Sequence, residues 1–120
     1  MTAAGVTALH GVGIYSDKAI ERGIEYLIRE HEPFNKRWGV RNRNKGHYFF
    51  WYGHYYAVQA MYQAGDEHFN KWYPKIAEAL LKKQNEDGSW GTHGRTNPVE
   101  TGFAILTLGV PYRYLPIYQK

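Results

Sequence analysis

The side chains best suited to chemistry in this 120-residue chain are aromatic. Eleven Tyr, five Phe and four Trp make up 17% of the sequence, and Tyr48, Trp51, Tyr52, Tyr55, Tyr56 and Tyr62 fall within a single stretch. Rings of this kind can attract a cation through their negative faces, or grip the surface of an isoprenoid, a peptide or another small ligand. Core packing is the competing use. The hydroxyls argue for a cavity lining, because each would be costly to bury without a partner. His54 beside Tyr55 and Tyr56 fits a proton donor or a cavity hydrogen bonder, and equally a packed helix residue. Glu100, opening the last helix, suits the positive end of the helix dipole and needs no catalytic role to explain it. The candidate ligand-lining set is therefore Tyr48, Trp51, Tyr52, His54, Tyr55, Tyr56, Tyr62 and Glu100.

Other chemistries find less material. The chain has no Cys, which removes disulfides, thiol nucleophiles and thiolate-bound metal. Its six His include no helical His-x-x-x-His pair, since His47 and His54 are seven apart, so neither a metal nor a cofactor is expected. The net charge of +4 is dispersed apart from Lys36, Arg37, Arg41, Arg43 and Lys45, which read as an exposed basic loop. No motif points to nucleic acid. No apolar run reaches the ~18 residues that span a bilayer, and Met1 to Gly13 lacks the basic start of a signal peptide.

Helices must position these residues. Val6, Leu9 and Val12 lie near helical spacing and stop at Gly11 and Gly13, which gives a short first helix. Ser16 or Asp17 then offers an N-cap for an amphipathic helix carrying Ile20, Ile24, Leu27 and Ile28 inward, ending before Pro33. Phe34 to Gly46 reads as a loop. From about His47 to Gly65 runs the aromatic helix, whose stripe Gly53, Ala57, Ala60 and Ala64 lets a neighbour approach closely. Asn70 is a candidate cap for the next helix, with Pro74 in its first turn and Trp72, Ile76, Ala79 and Leu80 on its buried side. A polar turn at Asn85 to Gly88 follows, then an apolar helix from about Val99 to Gly109. Two Pro in the tail, Pro111 to Lys120, favour an extended strap.

The chain repeats itself. Arg22, Tyr26, Leu27 and His31 stand 53 positions before Lys75, Ala79, Leu80 and Gln84, and Trp38 stands 52 before Trp90. Gly11, Gly65 and Gly109 each close an apolar segment that begins five residues earlier, at Val6, Ala60 and Ala104. Such self-similarity marks an array of supersecondary units.

Leu80, Gln84, Gly88 and Trp90 resemble the QW repeat of squalene-hopene cyclases, oxidosqualene cyclases and protein prenyltransferase β subunits, with Ala79 where the family carries an aromatic. Arg22, Gly23, Tyr26 and Leu27 resemble the front of the same motif, whose later part has His31 for Gln and lacks the Gly before Trp38. The phrases Gly53 to Tyr56, Asp87 to Trp90 and Tyr114 to Gln119 further resemble bacterial repeat proteins of the planctomycete type. The resemblance implies an all-α fold of helical hairpins forming the C-terminal portion of an α/α toroid. Residues 1–120 would be one domain with repeat units at about 2–38 and 47–90 and a half repeat at 98–120. It also implies scaffold roles for the motif: Gln84 bonding orphan backbone groups at a helix end, Gly88 allowing the turn, Trp90 stacking over a helix end.

Cyclases of this kind protonate substrate with an Asp-x-Asp-Asp acid, and Asp occurs here only at 17, 66 and 87. The prenyltransferase zinc site needs a Cys, which the chain lacks. The leading expectation is a noncatalytic or catalytically incomplete repeat segment that binds an apolar ligand or a partner chain. The alternatives are part of a larger cyclase-like or transferase-like enzyme whose acid or metal lies elsewhere, and a structural self-assembly domain in which copies or the remaining part of the toroid cover open repeat faces.

Overall fold

Five α-helices follow one another in a computed structural model that describes residues 1–36, 49–91 and 95–113, the side chains at 31–36 and 49 excepted. They are α1 (Thr2–Gly11), α2 (Lys18–Lys36), α3 (Phe49–Ala64), α4 (Asp66–Leu81) and α5 (Pro98–Gly109), closed by a single 3-10 turn, Val110–Tyr112. Every regular element among the described residues is helical, and the fold is all-α helical-hairpin repeats. The stretch of the basic loop from Arg37, Tyr48, Trp38 and the tail from Tyr114 lie outside the described residues.

The aromatic helix α3 is the hub, packing against α1, α2, α4 and α5. Its small residues explain why neighbours come so near. Ala57 and Ala60 are buried, and Thr7 of α1 donates its hydroxyl to the Tyr56 backbone carbonyl at 3.0 Å. A side chain as short as Thr reaches a neighbouring helix backbone only where the axes are close. The α1–α2 contact is closer still at Gly23, where a Cβ would lie 2.5 Å from a methyl of Val6.

The outer helices are amphipathic in the ordinary way. On α4, Phe69, Trp72, Ile76 and Leu80 are buried at helical spacing while Lys71, Lys75 and Glu78 are exposed. On α2, Ile20 and Ile24 are buried and Leu27 is half-buried, but Ile28, expected on the same inward stripe, is exposed along with Glu21, Arg22, Glu25 and Arg29. Asp17 caps α2, its carboxylate accepting the Ala19 amide at 2.7 Å. Asn97 caps α5, accepting the amides of Val99 and Glu100, with Pro98 at the first helical position where no donor is needed.

Two helices outrun their expected limits. α4 begins at Asp66 after Gly65, not near Asn70, which puts Pro74 inside the helix. Asp66 and Glu67 supply the first-turn acids that the dipole favours. The carbonyl that Pro74 leaves without its amide partner belongs to Asn70, on the exposed side, where water can reach it. Likewise α2 continues past Pro33 to Lys36.

The hairpin order follows from the hydrogen bonds. Trp90, just after α4, exchanges bonds with Thr101 near the start of α5, and Tyr73 in the first half of α4 donates its hydroxyl to the Leu108 carbonyl near the end of α5 at 2.8 Å. Thus α5 runs antiparallel to α4. With only Gly65 between α3 and α4, α3 and α5 run the same way, and α1, α3 and α5 form a row in which α3 is the middle member. Val6, Ala60 and Ala104, the matched openings of the three apolar segments, are all buried.

Candidate functional site

α3 carries aromatic side chains on nearly every side, and its neighbours sort them into two groups. Toward α4 lie Phe50, His54 and Tyr62: the His54 ring sits 4.3 Å from that of Phe50 and 6.3 Å from Trp72, and Tyr62 meets Phe69 edge-on at 5.4 Å. Trp51 is buried with them, its ring edge-on to Phe50 at 5.1 Å. Nδ1 of His54 is 2.9 Å from the Phe50 carbonyl one turn earlier, which assigns the proton to Nδ1 in the neutral ring. His54, Trp51 and Tyr62 thus sit in the packing between helices.

The second group stays half-buried. The rings of Tyr52 and Tyr56 lie 4.7 Å apart, those of Tyr56 and Tyr55 5.2 Å, and Tyr55 reaches across to Phe103 of α5 at 5.4 Å. Four rings therefore make one continuous wall that starts on α3 and ends on α5. These centroid distances and tilted planes are those that aromatic quadrupoles prefer. The wall is backed by Gln59, which is buried and donates its side-chain amide to the Tyr55 carbonyl at 3.1 Å. Glu100 is half-buried at the start of α5 with its amide held by Asn97. Tyr48 lies outside the described residues.

Phe103 was not among the candidates. As the one aromatic in α5 it carried a signal, but its partner lies on another helix and no local spacing reveals that. Thr7 and Tyr73, whose hydroxyls tie α1 to α3 and α4 to α5, were missed for the same reason.

The repeat motif performs a structural task with its roles redistributed. Gln84 donates to the Gly88 carbonyl at 2.8 Å and so holds the turn, while the helix end is capped by the Trp90 indole, whose Nε1 donates to the Leu80 carbonyl at 2.8 Å. Gly88 takes a positive φ of 85°, which a side chain would strain. Asp87 accepts the Ser89 amide and hydroxyl with one oxygen and the Thr96 hydroxyl with the other. The Ser89 hydroxyl and amide, then that of Thr96, hold the Asp87 carboxyl below its usual value. Gly91 has no room for a side chain, since a Cβ would fall 1.5 Å from the Arg95 carbonyl oxygen.

The three Asp are thereby accounted for: Asp17 caps α2, Asp66 opens α4 and Asp87 ties the turn. Among the described residues there is no group of three or more His, Cys, Asp or Glu placed to hold a metal, and no helix long and apolar enough to cross a membrane.

With hairpins, hub helix and capped turn in place, comparison with known families adds one finding: the family model described as squalene-hopene cyclase C-terminal domain matches residues 1–104. The chain belongs to that family. The match takes in the first four helices and most of α5, and so includes both sides of the aromatic wall. No solved structure matches this cyclase-family chain.

Proposed function

We propose that this cyclase-family segment is a scaffold whose aromatic wall, Tyr52, Tyr55, Tyr56 and Phe103, binds an apolar or partly polar ligand such as an isoprenoid, without a catalytic acid of its own. The continuous run of half-buried rings from α3 to α5 carries this reading. Rings needed only for packing would be expected to sink as far as Phe50 and Trp51 do; these stay half-buried. The hydroxyls of Tyr52, Tyr55 and Tyr56 make no hydrogen bond to another described residue, which leaves them able to bond a partly polar ligand. Family membership supports a cyclase-like fold but does not by itself transfer a reaction, because function resides in the site. The supporting chemical fact is that each Asp of the chain is engaged in a cap, a helix start or a turn away from the wall.

The test is titration with farnesol, followed by calorimetry. Tyr52→Leu and Tyr55→Leu together should weaken binding by about tenfold or more, given the roughly 0.5–1.5 kcal/mol that each aromatic contact contributes. Circular dichroism should be unchanged, since neither ring is fully buried. Equal affinity for the parent and the double variant would remove the wall from the site.

A further inference from the structure

Among the described residues, α3 buries two polar side chains, His54 and Gln59. His54 lies between helices, against Phe50 and Trp72. Gln59 lies with the wall: Tyr52, Tyr56 and Gln59 stand at i, i+4 and i+7, one line along the helix, and Tyr55 is four residues before Gln59. A helical side chain leans toward the N-terminus of its own helix. Gln59 does so, and its Nε2 donates to the Tyr55 carbonyl at 3.1 Å. The amide therefore sits at the foot of the wall, in the turn that carries the Tyr55 and Tyr56 rings.

That bond fixes which end of the amide is which. A carbonyl accepts only from an N–H, so Nε2 is the end at the backbone and Oε1 the end that remains. Oε1 accepts no hydrogen bond from another described residue. It is not sealed off, because the polar side-chain atoms fully shut away without a partner among the described residues are the two ring nitrogens of His10. Oε1 is thus a reachable acceptor on a side chain only 6% exposed. The Tyr55 carbonyl has no need of the side chain, since within α3 it already receives the backbone N–H of Gln59. A leucine would fill the same volume and bury no polar atom. What the glutamine adds to the wall is an acceptor. The Tyr hydroxyls both donate and accept, whereas Oε1 only accepts, so it alone tells a donor from an acceptor.

We infer that Gln59 sets the specificity of the wall, its Oε1 accepting a hydrogen bond from a ligand that carries an O–H or N–H donor beside its apolar part. The inference rests on the wall being a binding surface and adds the class of ligand, an apolar alcohol or amine rather than a hydrocarbon or an ether. The apolar chain lies against the rings and the donor points to the foot of the wall. A ligand without a donor shuts Oε1 away from water with nothing to replace it, and that loss rejects it.

Farnesol and farnesyl methyl ether share the apolar chain and the oxygen and differ in the donor. Calorimetric titration of the parent chain should give farnesol about fivefold tighter than the ether, the contribution of one neutral hydrogen bond. In Gln59→Leu that preference should vanish, chiefly through weaker farnesol. Equal affinity of the two ligands for the parent, or a preference unchanged in Gln59→Leu, would overturn the inference and leave the wall in place. Failure of both ligands to bind the parent removes the wall and the inference together. NMR of the parent alone covers a variant that does not fold: at saturation the Gln59 side-chain amide resonances should move further with farnesol than with the ether, and equal movement would overturn the inference.

Discussion

His10 is a polar ring placed where nothing answers it. It is 3% exposed at the end of α1, stacked on Tyr15 with ring centroids 5.7 Å apart, and neither nitrogen has a hydrogen-bond partner among the described residues. A neutral imidazole always carries one N–H and one lone pair, so both a donor and an acceptor are buried unsatisfied, at a cost of about 1–3 kcal/mol. Burial also lowers its pKa below the ordinary 6.5. The unfolded chain then binds a proton that the folded chain refuses, so stability is complete above the unfolded value and falls as pH drops below 6.5 toward the folded one. His10→Leu should therefore stabilise the fold by about 1–2 kcal/mol near neutral pH, and by more at about pH 5. Urea unfolding at both pH values measures this. A variant less stable than the parent at both would show that the ring's packing against Tyr15 outweighs its unsatisfied nitrogens.

At the scale of elements, the close approach of α1 and α2 turns on one missing methyl. A Cβ at Gly23 would stand 2.5 Å from Val6, a β-branched residue that is itself buried and stiff about χ1. Gly23→Ala should cost about 1–2 kcal/mol through overpacking, despite the gain of about 1 kcal/mol that Ala brings to a helix interior. In a Val6→Ala background the clash is gone, and the same substitution should become stabilising. Thermal unfolding of the four chains gives the cycle; additive effects would contradict this description of the contact. The elements were largely legible in sequence because apolar periodicity and caps are local: Asp17, Asn97 and Pro98 act where their types suggest. Pro74 was placed in a first turn by a local rule that tertiary packing overrode, since extending α4 back to Asp66 also buries Phe69 against Tyr62. Gln84 and Trp90 were legible as a motif but not in their division of labour, which depends on the turn between them.

For the whole molecule, repetition in the sequence reported the hairpin array, and the family match over residues 1–104 agrees with it. The candidate site was legible only in part. A run of aromatics on one helix does not say which rings face a neighbour: His54 and Tyr62 pack against α4 and Trp51 is buried beside Phe50, while Tyr52, Tyr55 and Tyr56 stay half-buried. Phe103, fully 48 positions from Tyr55 along the chain, joined them only when α5 folded back beside α3. The central claim concerns that wall, and side-chain NMR tests it most directly. With Tyr and Phe rings labelled, farnesol should shift the resonances of Tyr52, Tyr55, Tyr56 and Phe103 together along one saturable curve, leaving Phe50 and Phe69 in place. Saturable shifts confined to Phe50 and Phe69, or no shift in any ring, would contradict it.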